Sequence, residues 1–414
     1  MRKESTRTTA ESRVHWEHLE EWVRQQIQRL IQELLEEEVT EFPGRSRCAR
    51  RLPLDSGVGY RNGYGKPRKL TLGAGTVEVR RPRVRNVEER FESRVLPLFV
   101  RQGSKVRDLI PELYLHGLAE GDFDLALRGL LGDGAPVSAS TVARLKERWH
   151  GEYQAWRRRS LEDLEVVYLW VDGVYVKAGL EKDKAAVLVA LAGLTDGRKV
   201  IVAIEPGYRE STESWSTLLR DLKARGIGCP CLVIGDGHLG IWGALRNVFP
   251  QAEEQRCLNH KVMNVLDRLP KRAHGHAKPL LCSIPYGATR EEAEDRRDAF
   301  LAWCQKRGYR TAAETLVRDW DRMVAFYAYP QTHWPHTRTT NPLESPFAAL
   351  RLRTDAAKRY KRVERATALI WKLLMVAEKR FRRLRGRELL PEVYQRPFQA
   401  QVTDDQQVLE EVAA

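Results

Sequence analysis

Apolar positions along the chain change period several times, and each change marks an element. From 20 to 39 they fall at Val23, Ile27, Leu30, Ile31, Leu34 and Leu35. That is one face of an amphipathic helix. Its opposite face is rich in Gln and Glu and ends in Glu36-Glu37-Glu38, which suits packing on a domain or a second subunit better than facing phosphate. Alternating runs on either side of Gly73-Ala74-Gly75 predict a β-hairpin over 69–79. Tyr60-Arg61-Asn62-Gly63-Tyr64-Gly65 before it reads as a turn cluster, and Arg80-Arg81-Pro82-Arg83-Val84-Arg85 after it as a basic strand. Helical periodicity returns at 105–118 and 122–131. A third helix, opened by the hydroxyls of Ser138, Ser140 and Thr141, presents Arg144, Lys146 and Arg148 and then Arg157-Arg158-Arg159.

The pattern next turns continuous and β-branched. Val166 to Val171 is an apolar run closed by Asp172-Gly173, and 185–193 and 199–204 are two further runs joined by the turn Thr195-Asp196-Gly197. Three such strands predict an antiparallel meander. Ser211 caps a helix over 215–225, Cys231 to Ile234 is another strand ending in Gly235-Asp236-Gly237, and a helix (241–248) and a short strand (254–258) follow. Residues 259–336 have helical periodicity, and the last helices are expected over 355–390.

Composition narrows the class. The chain has 414 residues, enough for two to four domains. No apolar run approaches the roughly 18 residues of a membrane span, and Met1-Arg2-Lys3-Glu4-Ser5 has no apolar core, so neither a span nor a secretory signal is expected. Six scattered cysteines fit a reducing cytoplasm. A formal charge of +14 points to an anionic partner. Some of it is concentrated in 355–390, where twelve Lys or Arg, Lys358 and Arg359 among them, stand against four acids. Such a surface serves either phosphate or solvent. The helix, short helix, turn and basic helix of 105–159 are in the order of a helix-turn-helix DNA reader, although many three-helix bundles share it.

The chemistry is carried by acids. Asp172, at the end of a buried strand, is either a turn cap with Gly173 or a metal ligand, because a buried carboxylate needs compensation worth several kcal/mol. Asp236 repeats the strand–Asp–Gly pattern, and two neighbouring carboxylates repel unless divalent cations neutralise them. Glu344 stands near the start of a helix opened by Thr340-Asn341-Pro342, whose Leu343, Phe347 and Leu350 are spaced to dock on a sheet. Oxygen-only ligands suit Mg²⁺ or Mn²⁺. Cys257-x-x-His260 has half the spacing of a zinc site, and a structural pairing of the two is the preferred reading.

These residues resemble the Mutator-type insertion-sequence transposases. The resemblance rests on Trp170-Val171-Asp172-Gly173, Gly235-Asp236-Gly237 with Trp242 and Phe249-Pro250, and Gln255-Arg256-Cys257-Leu258-Asn259-His260-Lys261. It continues through Leu266-Asp267-Arg268-Leu269-Pro270, Phe326-Tyr327, His333-Trp334 and Arg338 to Glu344. As an ordered set these motifs are specific and cover about 164–386; the N-terminal region is matched more loosely. The resemblance implies an α/β chain with a ribonuclease-H-like mixed sheet, interrupted by an all-helical insertion and preceded by helix-turn-helix-like and β-hairpin DNA-binding segments. It implies that Asp172, Asp236 and Glu344 are catalytic ligands of two Mg²⁺ or Mn²⁺ ions.

On this basis seven segments are expected. They are an amphipathic helix for packing or dimerisation (1–41), a Gly/Arg-rich DNA-binding hairpin (42–100) and a helix-turn-helix-like domain (101–160). The catalytic core then opens (161–258), is interrupted by the helical insertion (259–336), and is completed together with basic helices (337–390) before a tail (391–414). Double-stranded DNA is the expected partner, as terminal inverted repeats and target, with a homodimer in the prokaryotic cytoplasm at the nucleoid and no membrane. Arg81, Arg83, Arg144, Lys146, Arg148, Trp334, Arg351, Lys358 and Arg359 are candidate DNA contacts. Arg338, Arg351 and Arg353 flank Glu344 and either clamp phosphate or form structural ion pairs. Trp303, Trp320 and Trp334 are either stacking platforms or core residues. Two other functions stay open: a non-catalytic DNA-binding protein derived from a transposase, and a structure-specific nuclease.

Overall fold

A computed structural model describes residues 16–42, 60–85, 91–118, 122–131, 139–177, 184–207, 211–237, 239–356, 360 and 362–396. The chain divides into two compact units, Met1–Leu145 and Lys146–Ala414.

In the first unit α1 (Trp16–Glu41) is followed by four short strands, β1 (Tyr60–Tyr64), β2 (Arg68–Leu72), β3 (Gly75–Val79) and β4 (Pro82–Arg85). Strands β2 and β3 pair antiparallel, with Leu72 opposite Gly75 across a two-residue turn. Residues 60–64 are not the turn that their Gly and Asn suggest. They form a strand antiparallel to β4, with Tyr60 opposite Arg85. The pairing partner lies some twenty residues away, so local turn chemistry misjudged them. Leu35 of α1 closes a small core with Leu70, Val77, Val79 and Leu96, with Ile31 packed against it. The acidic end of α1 is structural: Glu36 Oε2 accepts from Arg61 Nη1 at 2.5 Å, and the Glu38 carboxylate accepts from Ser93 Oγ at 2.5 Å. Helices α2 (Ser104–Leu115) and α3 (Phe123–Leu131) follow, and of α4 (Ala139–Trp156) the residues from Lys146 onward belong to the second unit.

The second unit is built on a five-stranded mixed sheet of β5 (Val166–Lys177), β6 (Lys184–Leu194), β7 (Lys199–Gly207), β8 (Leu232–Gly235) and β9 (Glu253–Arg256), in the order β7-β6-β5-β8-β9. The first three are antiparallel, while β8 runs parallel to both β5 and β9. Helices cover both faces, so β5, β6, β7 and β8 carry apolar runs rather than alternating, while β9 is Glu-Glu-Gln-Arg. Leu169 and Val171 lie in the core with α5 (Thr212–Ala224) and α6 (Leu239–Val248). Tyr168, Trp170, Val174 and Val176 share the opposite core with α13 (Asn341–Ala356), α14 (Val363–Glu378) and α15 (Leu390–Tyr394). Between β9 and α13, helices α7 (Leu258–Leu266), α8 (His274–Ser283), α9 (Arg290–Arg307), α10 (Arg310–Val317) and α11 (Trp320–Val324) bury a third core around Phe300, Leu316 and Phe326, and α12 (Trp334–Thr337) precedes α13.

Two expectations from the sequence are corrected. The helical stretch expected over 355–390 is broken: α13 ends at Ala356, α14 at Glu378, and 381–384 are not helical. The basic run after α4 does not extend a DNA-facing helix. Arg157 pairs with Glu205 at 2.7 Å, and Arg159 donates to the Ile201 carbonyl at 2.9 Å. Both are committed to β7. Among the described residues no helix is long and apolar enough to cross a membrane.

Candidate active site

The register of two parallel strands places the first two acids. Tyr168, Leu169 and Trp170 of β5 stand opposite Leu232, Val233 and Ile234 of β8. Asp172 and Asp236 each follow the last of these pairs by two residues. β8 has ended at Gly235 while β5 continues to Lys177 against β6. Asp172 thus stands where β5 loses its parallel neighbour, at the carboxyl ends of the parallel pair, the usual place for a site in an open α/β sheet. Strand alternation puts Asp172 on the face of Trp170 and Val174, where Leu343 and Phe347 of α13 also pack. Asp172 is buried, and its Oδ1 accepts from the Gly173 amide at 2.8 Å. The turn-cap reading is corrected: β5 runs on through Gly173 to Lys177 against β6, so no turn follows Asp172.

Glu344 lies in the first turn of α13, held from behind. Thr340 Oγ1 donates to Glu344 Oε1 at 2.9 Å and lies 3.3 Å from Cys257 Sγ, which also accepts from the Thr340 amide at 3.3 Å. Thr340 and Cys257 are both fully buried. Cys257 extends the β8–β9 ladder by donating its amide to Gly235 at 2.7 Å, and the Leu258 amide donates to Arg338 O at 3.1 Å. Asn259 Nδ2 donates to Asn341 Oδ1 at 2.9 Å, joining the first turns of α7 and α13. The segment after β9 is therefore fastened to the segment before α13, which fixes Glu344 relative to the sheet.

His260 stands among these groups, its Nδ1 3.8 Å from Glu344 Oε1. A hydrogen bond with Cys257 raises its pKa to about 9; burial opposes this, and the charges of Cys257, Asp172 and Asp236 add to it. At neutral pH it is an imidazolium beside carboxylates. Ligand atoms of Cys257, His260 and Glu344 lie within 4.8 Å of one another. Metal binding by this group would have to displace the imidazole proton and the Thr340 hydrogen bonds. Of the three acids that the sequence singles out, Glu344 is the one that belongs to it.

A second network supports Asp236. Gly237 adopts φ +88°, and a Cβ there would lie 2.4 Å from Arg256 Cζ. Arg256 Nη1 donates to Gly237 O at 3.3 Å and to Asp319 Oδ2 at 2.6 Å, and Asp319 Oδ2 also accepts from Lys261 Nζ at 2.7 Å. Burial pushes the Asp319 carboxyl up, but Lys261, Arg256 and Arg322 outweigh it and hold its pKa below the ordinary value. Sequence reasoning missed Gly237, Arg256, Lys261 and Asp319 as supporting residues. Only the Asp-Gly dipeptide at Asp236 hinted at the turn.

The other candidates are dispersed. Arg338 is not turned to the acids: it donates to Pro285 O at 3.0 Å and lies over the Tyr286 ring at 4.2 Å. Trp334 donates to Tyr329 O at 2.8 Å and packs against Phe326 and Tyr327, while Trp303 sits among His276, Phe300 and Tyr309, and Trp320 is buried under Arg297. Arg351 is exposed on α13; the Arg353 side chain, Lys358 and Arg359 lie outside the described residues. Arg144, Lys146 and Arg148 are carried by α4, where Arg148 faces Glu152 at 3.6 Å. Arg81 and Arg83 line a concavity of the first unit.

Comparison with known proteins adds a chemical class. A profile described as "Transposase, Mutator family" matches residues 2–383. The chain is 45% identical over 283 residues to the transposase for insertion sequence element IS6120 of Mycolicibacterium smegmatis, an alignment that covers 68% of this chain and 87% of that protein. It is 39% identical over 258 residues to the transposase for IST2 of Acidithiobacillus ferrooxidans (62% and 87%), and 29% identical over 354 residues to that for ISRM5 of Rhizobium meliloti (84% and 85%).

Proposed function

The chain belongs to the Mutator family of transposases, and from that premise we propose that it cleaves and joins DNA strands at the terminal inverted repeats of its element, using Asp172, Asp236 and Glu344 with divalent cations. The observation that supports the reading is that Asp172 and Asp236 each follow the paired stretch of β5 and β8 by two residues, on a sheet against which α13, the helix of Glu344, also packs. The order β7-β6-β5-β8-β9, three strands antiparallel and two parallel, supports a ribonuclease-H-like reading of the core. The order of α2, α3 and α4 supports a helix-turn-helix reading of the segment before it.

Two Mg²⁺ or Mn²⁺ ions are the proposed occupants, and Asp172, Asp236 and Glu344 would hold them. When bound, such a pair lowers the pKa of a water or a 3′-hydroxyl and neutralises charge gathering on the scissile phosphate. The chain's own role is to hold the three carboxylates rigid. Asp172 is fixed by its strand, Asp236 by the turn that Arg256 braces, and Glu344 by the Thr340 hydroxyl. His260 contributes a fixed positive charge that reduces repulsion among the acids. Two element ends have to be handled together, so a homodimer is the proposed working form.

The test is incubation of the full chain with duplex carrying the element's ends, with and without Mg²⁺. Strand cleavage followed by joining is expected. Asp172→Asn and Glu344→Gln are expected to abolish both steps while leaving DNA affinity within about threefold, a change of under 1 kcal/mol. Cleavage without joining would favour a nuclease, and binding without either step a non-catalytic DNA-binding protein.

A further inference from the structure

Cys257, His260 and Glu344 form a donor set of sulfur, nitrogen and oxygen, unlike the oxygen set proposed for Mg²⁺. Cys257 caps α7 and His260 follows three residues later, the spacing at which cap and first-turn side chains meet. Glu344 faces them from the first turn of α13. The two turns are pinned together by the chain itself. The Cys257 amide donates to Gly235 O at 2.7 Å, the Leu258 amide to Arg338 O at 3.1 Å, and Asn259 to Asn341 at 2.9 Å. One ligand atom from each residue lies within 4.8 Å of the others, and among the described residues this is the one such group. Cys257 is fully buried, while the His260 side chain keeps 38% exposure and that of Glu344 32%, so an ion can enter from solvent. His260 Nδ1 is buried 3.8 Å from Glu344 Oε1, too far for a hydrogen bond.

Sulfur, nitrogen and oxygen donors at about 2.0–2.3 Å from one zinc ion stand about 3.4–3.6 Å apart in tetrahedral geometry. Closing from 4.8 Å needs a shift of about 1.2 Å or less, within the reach of side-chain rotation. Three protein ligands leave the fourth position to water, the pattern of an open zinc site. Binding releases the imidazole proton and costs the Thr340 contacts to sulfur. Only a cation with high affinity for thiolate and imidazole offsets that cost, which disfavours Mg²⁺ and favours zinc. We propose that Cys257, His260 and Glu344 bind one Zn²⁺, and that zinc there inhibits the chain by withdrawing Glu344 from Mg²⁺. The inhibition rests on the reading of Glu344 as a Mg²⁺ ligand; the zinc site does not.

The test loads the metal-free, reduced full chain with Co²⁺ as a spectroscopic probe, then adds Zn²⁺ or excess Mg²⁺. One Co²⁺ per chain is expected, with a thiolate-to-cobalt charge-transfer band in the near ultraviolet that Zn²⁺ removes and Mg²⁺ does not. Cys257→Ser is expected to lose the band, whereas Cys229→Ser and Cys282→Ser keep it. His260→Ala, at a partly exposed position, and Glu344→Gln are each expected to weaken binding at least about tenfold. Circular dichroism checks folding, and His260→Ala carries the test should Cys257→Ser fail to fold. In cleavage assays at fixed Mg²⁺, Zn²⁺ is expected to inhibit and added Mg²⁺ to reverse the inhibition. His260→Ala, compared with its own zinc-free rate, is expected to need at least about tenfold more zinc for the same inhibition. The absence of a band, a band that survives Cys257→Ser, or unchanged affinity in His260→Ala overturns the site. Equal zinc sensitivity of the native chain and His260→Ala overturns the inhibition. A chain that shows the band yet cleaves no DNA with Mg²⁺ would refute the catalytic reading and the inhibition with it, and leave the zinc site standing.

Discussion

Removing Asp319 tests whether the network behind Asp236 holds the second unit together. The carboxylate is buried at the junction of β9, α7 and the segment before α11, and its Oδ2 accepts from both Arg256 and Lys261. Its partners have almost no access to water: the Lys261 side chain is 2% exposed and that of Arg256 10%. Asp319→Ala strands two buried cations, and breaking a buried pair by removing one partner costs about 3–5 kcal/mol. An unfolding entropy of roughly 2.1 cal/mol/K per residue over about 270 residues makes each degree worth about 0.56 kcal/mol, so Tm is expected to fall by about 5–9 °C. Calorimetry on the full chain, following the transition of the second unit, measures it. Asp319→Leu with Lys261→Met removes opposite charges together and is expected to recover more than half of the loss, because a packed apolar pair replaces an orphaned ion. The folded-state pKa of Asp319 is depressed, so its contribution is complete above about pH 4 and disappears as pH falls through the folded value. A Tm shift under about 2 °C for Asp319→Ala, or strictly additive effects in the double variant, would refute the reasoning.

Three further outcomes are expected. Thr340→Val removes the hydroxyl that holds Glu344 and should reduce strand cleavage about 10- to 100-fold and raise the Mg²⁺ concentration needed for half-activity, with Thr340→Ser restoring most of both; equal activity of Val and Thr at limiting Mg²⁺ would contradict it. Gly237→Ala places a Cβ at φ +88° and 2.4 Å from Arg256 Cζ, and is expected to lower the urea midpoint by the equivalent of about 2–4 kcal/mol, read from denaturation followed by tryptophan fluorescence. His336 Nε2 accepts from the Arg385 amide at 3.2 Å and has to be neutral to do so. Burial, aided by Lys199, Arg385 and His333, lowers its pKa to about 4. Its unfolded value is near 6.5, so its stabilisation is complete above about pH 6.5 and is lost as pH falls towards 4. A urea series across that range should show the decline, and His336→Gln should flatten it.

What the sequence could disclose followed from where each residue's constraint acts. Val166 to Val171 was readable as a strand because burial on both faces leaves no polar position, and Asp172 stood out against it for the same reason. Glu344 was readable because Leu343, Phe347 and Leu350 mark its helix as one that docks on the sheet. The register of β5 against β8 was not readable, since it depends on where β8 begins to pair, which no local pattern encodes. The strand at Tyr60–Tyr64 was hidden behind turn-forming residues, because its reason for being extended is β4, well beyond the reach of local propensity. Charge misled in a consistent direction. Arg157, Arg159 and Arg338 look like solvent-facing cations in a basic chain, yet each is bound to a carbonyl or a carboxylate of its own unit. Asp319 looked like any surface acid although its partners are 58 and 63 residues away. A cation paired with a carboxylate of its own fold, as Arg157 is with Glu205, is already offset, so total charge overstates the surface open to an anion.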